Sequence, residues 1–285
     1  AWTWTLSQFH RALDDTASRE ASAEARVDDI RDYHAFAATI GRQLGVMHDV
    51  LAQPTDDAAF APGRAAPADV DAWIARATEL LSRALDAVAG RKDWDNETVA
   101  ADADALMTAR EVLLDALQRL GRSGEGTLMT RIHGDFHLGQ VLVASGDAYI
   151  IDFEGEPARP LEERRRRSSP LRDVAGLLRS LDYAAATAID PKNVVASRVS
   201  PGRRQRLVAR LREGSEAAFL AAYRDAVTGL SDMGGDDLLD FFLVEKAAYE
   251  ICYEAANRPA WLAIPVSGLA RIAARLLAAT ARSET

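Results

Sequence analysis

Two short segments hold the residues whose types and spacing could do chemistry: Arg131-Ile-His-Gly-Asp-Phe-His-Leu-Gly-Gln140, and a little further on Ile151-Asp152-Phe153-Glu154-Gly155. Between them Val141-Leu-Val143 and Tyr149-Ile-Ile151 read as strands, separated by Ala144-Ser-Gly-Asp147, a turn rich in residues that tolerate unusual dihedrals. With Ser145 and Gly146 at the tip, antiparallel pairing puts Val141 opposite Ile150, so Gln140 and Asp152 leave the ladder at the same end. Asp135 lies on the loop feeding that end. A carboxylate and an amide carbonyl meeting at one point are hard oxygen ligands suited to Mg²⁺, which usually shares its shell with phosphate and water. The carboxylate of Asp135 is then free to take a proton from a substrate hydroxyl. This is the division of labour in phosphoryl transfer, where catalysis is mostly positioning and charge neutralisation. Each piece alone has a plain structural explanation, since an Asp that ends a strand is often a turn former. The joint pattern is what points to chemistry.

A second set lies on one helix near the C-terminus. At about 100° per residue, Lys246, Tyr249, Tyr253 and Asn257 fall in a stripe about 80° wide, while Val244, Ala248, Ile251 and Ala255 take the other side. Phenols, an ammonium and an amide suit recognition of a sugar by stacking and multiple hydrogen bonds. An ordinary surface face with snorkelling tyrosines fits the same pattern. His133 and His137 flank Asp135 and are expected to hold the loop by hydrogen bonds. Asp173 stands at a helix start, where a carboxylate complements the dipole. The run Arg164 to Arg167 could meet phosphates, yet Glu162 and Glu163 precede it and such runs are usually solvated faces. His10, His34 and His48 sit in helical segments and are expected to pack.

These groups need a scaffold, and its pattern is mostly helical. Apolar residues at Val27, Ile30, Tyr33, Phe36, Ile40, Leu44, Met47 and Leu51 mark a long amphipathic helix from about Arg26 to Ala52. Pro54 and the Phe60 to Pro67 stretch break it before a helix carrying Val70, Trp73, Ile74, Ala77, Leu80, Leu81 and Leu85. A third helix is expected from Thr98 to Leu120, ended by Gly121, Ser123, Gly124 and Gly126. After the hairpin come Pro157, Pro160 and Pro170, then helices over Leu171 to Ile189, Arg203 to Thr228, Asp236 to Ala256 and Val266 to Arg282. One hairpin in a helical body is α+β, mostly helical. The Trp2 and Trp4 pair is expected to pack where a preceding segment joined the chain.

Composition bounds the rest. The chain has 285 residues and a net charge of −9, with 48% apolar and 27% charged residues, which describes a soluble, acidic, globular protein and disfavours nucleic acid as a partner. Such a length buries a core without staples. One cysteine, Cys252, with no CxxC or zinc spacing, favours a reducing compartment and hence the cytoplasm. No run approaches the ~20 apolar residues of a membrane span. The opening Ala-Trp-Thr-Trp-Thr is neither a signal peptide nor a plain translation start, so the chain reads as a piece of something longer.

HGDFHLGQ, the hairpin and IIDFE together resemble the C-terminal lobe of the aminoglycoside phosphotransferase and choline kinase-like superfamily. Gln140, Asp152-Phe-Glu-Gly-Glu-Pro157 and Ser169-Pro-Leu-Arg-Asp-Val-Ala-Gly-Leu-Leu-Arg-Ser-Leu-Asp-Tyr183 resemble the maltokinases, as does Lys246 through Asn257-Arg258-Pro to Pro265. The resemblance implies a protein-kinase-like C-lobe, with residues 1–128 helical, 129–157 the catalytic loop and metal-binding hairpin, and 158–285 the helical acceptor part. It implies ATP and Mg²⁺ as cofactors, Asp135 as base, Gln140 and Asp152 as metal ligands, and His133, His137 and Asp173 as supports of the catalytic loop. Lys246, Tyr249, Tyr253, Asn257 and Arg258 would bind maltose, to be converted to maltose 1-phosphate. No GxGxxG, GxxxxGK or lysine-bearing strand precedes the first helix. The ATP-gripping N-lobe is thus expected to be absent and the chain inactive alone, with trehalose synthase a known fusion partner of such domains. Two alternatives are a kinase for an amino sugar of the glucosamine type and a non-catalytic sugar-binding or docking module.

Overall fold

The loop from Arg131 to Gln140 and its hairpin belong to the first of two units in this computed structural model, and the tyrosine stripe belongs to the second. Residues 1–18, 27–94, 96–157, 159–190, 199–227 and 232–283 are described, with side chains outside 15–31 and 280–283. The units interleave in sequence, each built from three separate segments: Ala1–Pro62, Thr130–Arg167 and Ser180–Ser231 in the first, Gly63–Met129, Ser168–Arg179 and Asp232–Thr285 in the second.

In the first unit, α1 (Trp2–Ser18), α2 (Val27–Leu51) and α8 (Pro201–Ala226) pack together, with Phe9, Leu13, Tyr33, Ile40, Leu44, Leu211 and Phe219 buried. α2 and α8 approach at backbone distance. A Cβ on Gly41 would stand 2.2 Å from the Phe219 carbonyl oxygen, so only glycine fits there. Two turns on, His48 Nδ1 and the Tyr223 hydroxyl lie 2.9 Å apart in the buried seam. Trp4 packs on Phe36, with ring centroids 4.3 Å apart, and on Tyr33, so the first unit itself supplies the partners of this indole. The hairpin β3 (Val141–Ala144) and β4 (Asp147–Ile150) lies on α2. Its register pairs Val141 with Ile150, and Ser145 (φ 54°) and Gly146 (φ 81°) form the left-handed tip that a two-residue hairpin loop requires. α6 (Leu161–Arg164) is a single turn after the hairpin, and α7 (Leu171–Ala188) contributes residues to both units.

The second unit is built on α3 (Pro67–Gly90), α4 (Glu97–Thr108), α5 (Arg110–Arg122), α9 (Asp236–Asn257) and α10 (Ala263–Ser283). Pro67 opens α3, and the Asp69 carboxylate accepts the Ala66 N–H at 2.9 Å, closing the helix start. Asn96 caps α4 by accepting the Thr98 N–H at 2.7 Å. The single helix expected over Thr98 to Leu120 is two helices, broken at Ala109 (φ −86°, ψ 3°), a residue type that announces no break. A second ladder, β1 (Gly63–Arg64) with β2 (Leu128–Met129), also escaped the sequence reading because two-residue strands have no period to read.

One expectation about membranes needs correcting. The stretch Pro259–Ala279 is long and apolar enough to cross a membrane by length and composition, with mean hydropathy 1.5. Half of that stretch is buried in the structure, and Val266, Leu269, Ile272, Ala273 and Leu276 lie in the core beside α4 and α9, which makes it a core helix.

Candidate active site

The end of the hairpin ladder sets the site. Beyond the Val141 and Ile150 pair, the Ile151 N–H still donates to the Gln140 carbonyl at 3.0 Å, so the two chains stay in register one step further. Gln140 and Asp152 therefore emerge side by side, and Gln140 Nε2 donates to Asp152 Oδ2 at 3.0 Å. Asp152 sits in the left-handed region, φ 65°, a conformation that costs free energy even for Asp and tends to persist where surroundings enforce it.

His133 ties the catalytic loop to this end. Its Nε2 lies 2.8 Å from the Ile151 carbonyl, which can only accept, so the proton is on Nε2 and Nδ1 is left as the acceptor for the Asp135 N–H at 3.4 Å. The ring is buried, with Phe136 and Phe153 centroids 5.4 Å and 5.3 Å away. His137 works one turn along: its Nδ1 accepts the Gly139 N–H at 2.9 Å, which leaves Nε2 facing Asp135 Oδ2 at 3.8 Å, beyond direct hydrogen bonding. A Cβ at residue 139 would stand 2.6 Å from that imidazole. Leu138 N–H donates to Ser180 Oγ at 3.1 Å, a support from α7 that sequence reading missed although Ser180 lay within a quoted motif. The Asp135 side chain keeps 17% of its surface exposed, enough for a hydroxyl to reach it.

Among the described residues no group of three or more His, Cys, Asp or Glu is placed to hold a metal ion. Asp152 with Gln140 is a two-donor set, and one carboxylate with one amide oxygen fits the habit of Mg²⁺ of completing its shell with phosphate and water.

The sugar-binding candidates lie in the second unit. Lys246 Nζ stands 5.1 Å over the Tyr249 ring, Tyr249 and Tyr253 stack at 6.2 Å, and Arg258 lies 5.2 Å from both the Tyr253 and Trp261 rings. Asn257 Nδ2 turns back to the Tyr253 carbonyl at 2.9 Å. The stripe is thus a continuous row of cation and ring contacts along α9, to which Trp261 is an addition. Glu254, 1% exposed, accepts from Arg258 Nη2 at 2.6 Å, an i,i+4 pair legible from spacing alone. Asp173 is buried in the first turn of α7, in the second unit.

No family model matches the chain. A glucosamine kinase of Streptacidiphilus jiangxiensis is 32% identical over 271 residues, covering 93% of this chain and 52% of that protein. Another glucosamine kinase, from Mycolicibacterium smegmatis (strain ATCC 700084 / mc(2)155), is 27% identical over 94% of this chain and 58% of its own length. The chain spans about half the length of the curated relatives it matches. Solved structures agree: glucosamine kinase in complex with glucosamine, ADP and inorganic phosphate superimposes with TM-score 0.74 at 26% identity over 95% of this chain and 56% of that one. Crystal form B of glucosamine kinase gives 0.76 at 25% identity, over 96% and 58%.

These likenesses correct the family resemblance. The matched proteins are glucosamine kinases, where the motifs had suggested maltokinase and the aminoglycoside phosphotransferase superfamily. Maltose as acceptor and a trehalose synthase fusion go with it, since none of the matched proteins names them. The protein-kinase-like C-lobe is likewise set aside: the described residues are mostly helical with two two-stranded ladders, and the solved fold the chain resembles is that of glucosamine kinase. A loop and hairpin motif specifies local geometry and leaves the arrangement of the surrounding helices open, which is why it misled. The expectation of an absent lobe and an inactive chain rested on that same assignment.

Proposed function

We propose that this chain serves ATP-dependent phosphoryl transfer to glucosamine. The observation that carries the reading is the meeting of the Gln140 and Asp152 side chains at one end of a hairpin, to which the backbone of Asp135 is tied through His133. Its likeness to glucosamine kinases over 93% and 95% of the chain supplies the substrate class. Asp152 and Gln140 would hold Mg²⁺, the amide turning its oxygen inward; the ion would neutralise phosphate charge when bound. Asp135 is the base that takes the proton from the acceptor hydroxyl, and His133 and His137 keep its loop in place. In the second unit, Lys246, Tyr249, Tyr253, Asn257 and Arg258 offer rings and donors to a sugar. Asp173 is read as complementing the dipole of α7. A cytoplasmic setting, where ATP is abundant, suits this activity.

The test is incubation with ATP, Mg²⁺ and glucosamine, read by ³¹P NMR for a phosphorylated sugar, together with calorimetric titration of glucosamine and of N-acetylglucosamine, which lacks the cationic amine. Transfer to, or binding of, glucosamine in preference to the acetylated sugar supports the reading. Phosphorylation of another acceptor, or indifference to both sugars and to Mg·ADP, overturns it.

A further inference from the structure

We propose that Arg164 is a positioning residue that holds the Asp152 turn in its strained conformation; this rests on the reading of Asp152 as a metal ligand. The turn carries two left-handed residues within four, Asp152 (φ 65°) and Gly155 (φ 74°). Such a backbone needs outside support. Arg164 Nη1 donates to the Glu154 carbonyl at 3.2 Å, inside the turn. The stem of the same side chain lies along Gly155: a Cβ built there would meet Arg164 Cβ, Cγ and Cδ at 3.4, 3.5 and 3.6 Å. Gly134, also left-handed at φ 82°, is close as well: an added Cβ there would stand 3.5 Å from Gly155 Cα. Gly155 thus has both the arginine stem and the residue that precedes Asp135 as close neighbours.

A clamp must itself be fixed. Arg164 is the last residue of α6, its N–H bonded to the Pro160 carbonyl at 3.0 Å, and Arg159 pairs with Glu163 at 2.7 Å. Past the helix, the Arg131 guanidinium donates to the Arg165 carbonyl and lies 5.6 Å from the Phe60 ring, while Arg167 Nη1 donates to the Ala61 carbonyl at 2.9 Å. The arginine run thus spends two of its side chains, Arg164 and Arg167, on backbone carbonyls within one unit. Arg165, Arg166 and Arg167 remain exposed, as a solvated face would be, and Arg164 is the half-buried exception. A guanidinium suits the task because it stays charged and presents several donors on a stem long enough to cover a glycine.

The experiment compares wild type, Arg164→Ala and Arg164→Lys by hydrogen exchange and by Mn²⁺ affinity in the presence of ADP. Exchange at residues 152–156 should speed up at least about tenfold in Arg164→Ala while the 141–150 hairpin is unmoved. Mn²⁺ affinity should fall about 10- to 100-fold, the usual loss when a support of a metal ligand is removed. Arg164→Lys should recover part of both, which a general loss of packing would not give. Unchanged exchange at 152–156, or unchanged Mn²⁺ affinity beside faster exchange, overturns the positioning role. If Arg164→Ala fails to fold, Arg164→Lys with wild-type exchange and affinity supports the clamp, and Arg164→Lys as damaged as a Gly155→Ala control overturns it. Absence of Mn²⁺ binding by wild type would count against Asp152 as a ligand, and the exchange comparison would still decide the clamp.

Discussion

Gln140 Nε2 donates to Asp152 Oδ2 across 3.0 Å, and the carbonyl of the same Gln140 accepts the N–H of Ile151, the residue before Asp152, at the same distance. The side-chain meeting is thus an extension of the backbone ladder, set by hairpin register. Asp152→Ala should abolish Mg²⁺-dependent ADP binding, a loss above about 100-fold by calorimetry. Gln140→Asn shortens the reach by one methylene and should weaken binding less than Gln140→Ala. Equal losses for the two would reduce Gln140 to packing.

Asp135 carries a separate burden. If it accepts the proton of the acceptor hydroxyl, Asp135→Asn should lower kcat by about 10²-fold or more and leave glucosamine binding nearly intact. A variant that keeps more than about a tenth of kcat removes the base role. Because His133 fixes the Asp135 backbone through a neutral ring protonated on Nε2, His133→Phe should also lower kcat while Asp135 remains present.

The local part of this site was legible. Alternating Val141-Leu142-Val143 and the Ser145-Gly146 tip determine the register, and register determines which residues meet at the ladder end. Long-range choices were not. Ala109 splits a helix although nothing in an alanine marks a boundary, and Arg164 reads as a solvated cation until Gly155, nine residues earlier, is found under its stem. The choice of sugar was open for a chemical reason: Lys246, Tyr249, Tyr253 and Asn257 match hydroxyls of many sugars.

The second unit contains a buried ion pair whose removal has a definite cost. Arg179, 1% exposed, donates from Nε to Glu250 Oε2 at 2.9 Å, and a Cβ on Gly268 would stand 2.1 Å from its Nη1. Gly268→Ala must therefore displace the guanidinium and should cost about 1–3 kcal/mol. Glu250→Met takes a carboxylate away from the buried Arg179 guanidinium and should cost about 3–5 kcal/mol. Urea midpoints would measure both. The double change Arg179→Met with Glu250→Met should be less damaging than Glu250→Met alone, and the opposite order would show that the pair is not what holds this seam.

His34 on α2 gives the first unit an acid-sensitive point. A Cβ on Gly214 of α8 would lie 2.2 Å from the imidazole Cε1, so the ring rests on that glycine, and its buried Nε2 has no hydrogen-bond partner among the described residues. Burial lowers the His34 pKa below its usual 6.5, an effect partly offset by a hydrogen bond to the Leu211 backbone. With the folded value depressed, the unfolded chain binds the proton more readily; the stability His34 contributes is present above about pH 6.5 and is lost as pH falls through the folded value. Denaturation midpoints at about pH 7.5 and about pH 5 should show the wild type losing more stability than His34→Leu. His10 is also depressed by burial and adds to the slope in the same direction. An equal loss in wild type and His34→Leu would remove His34 from the account.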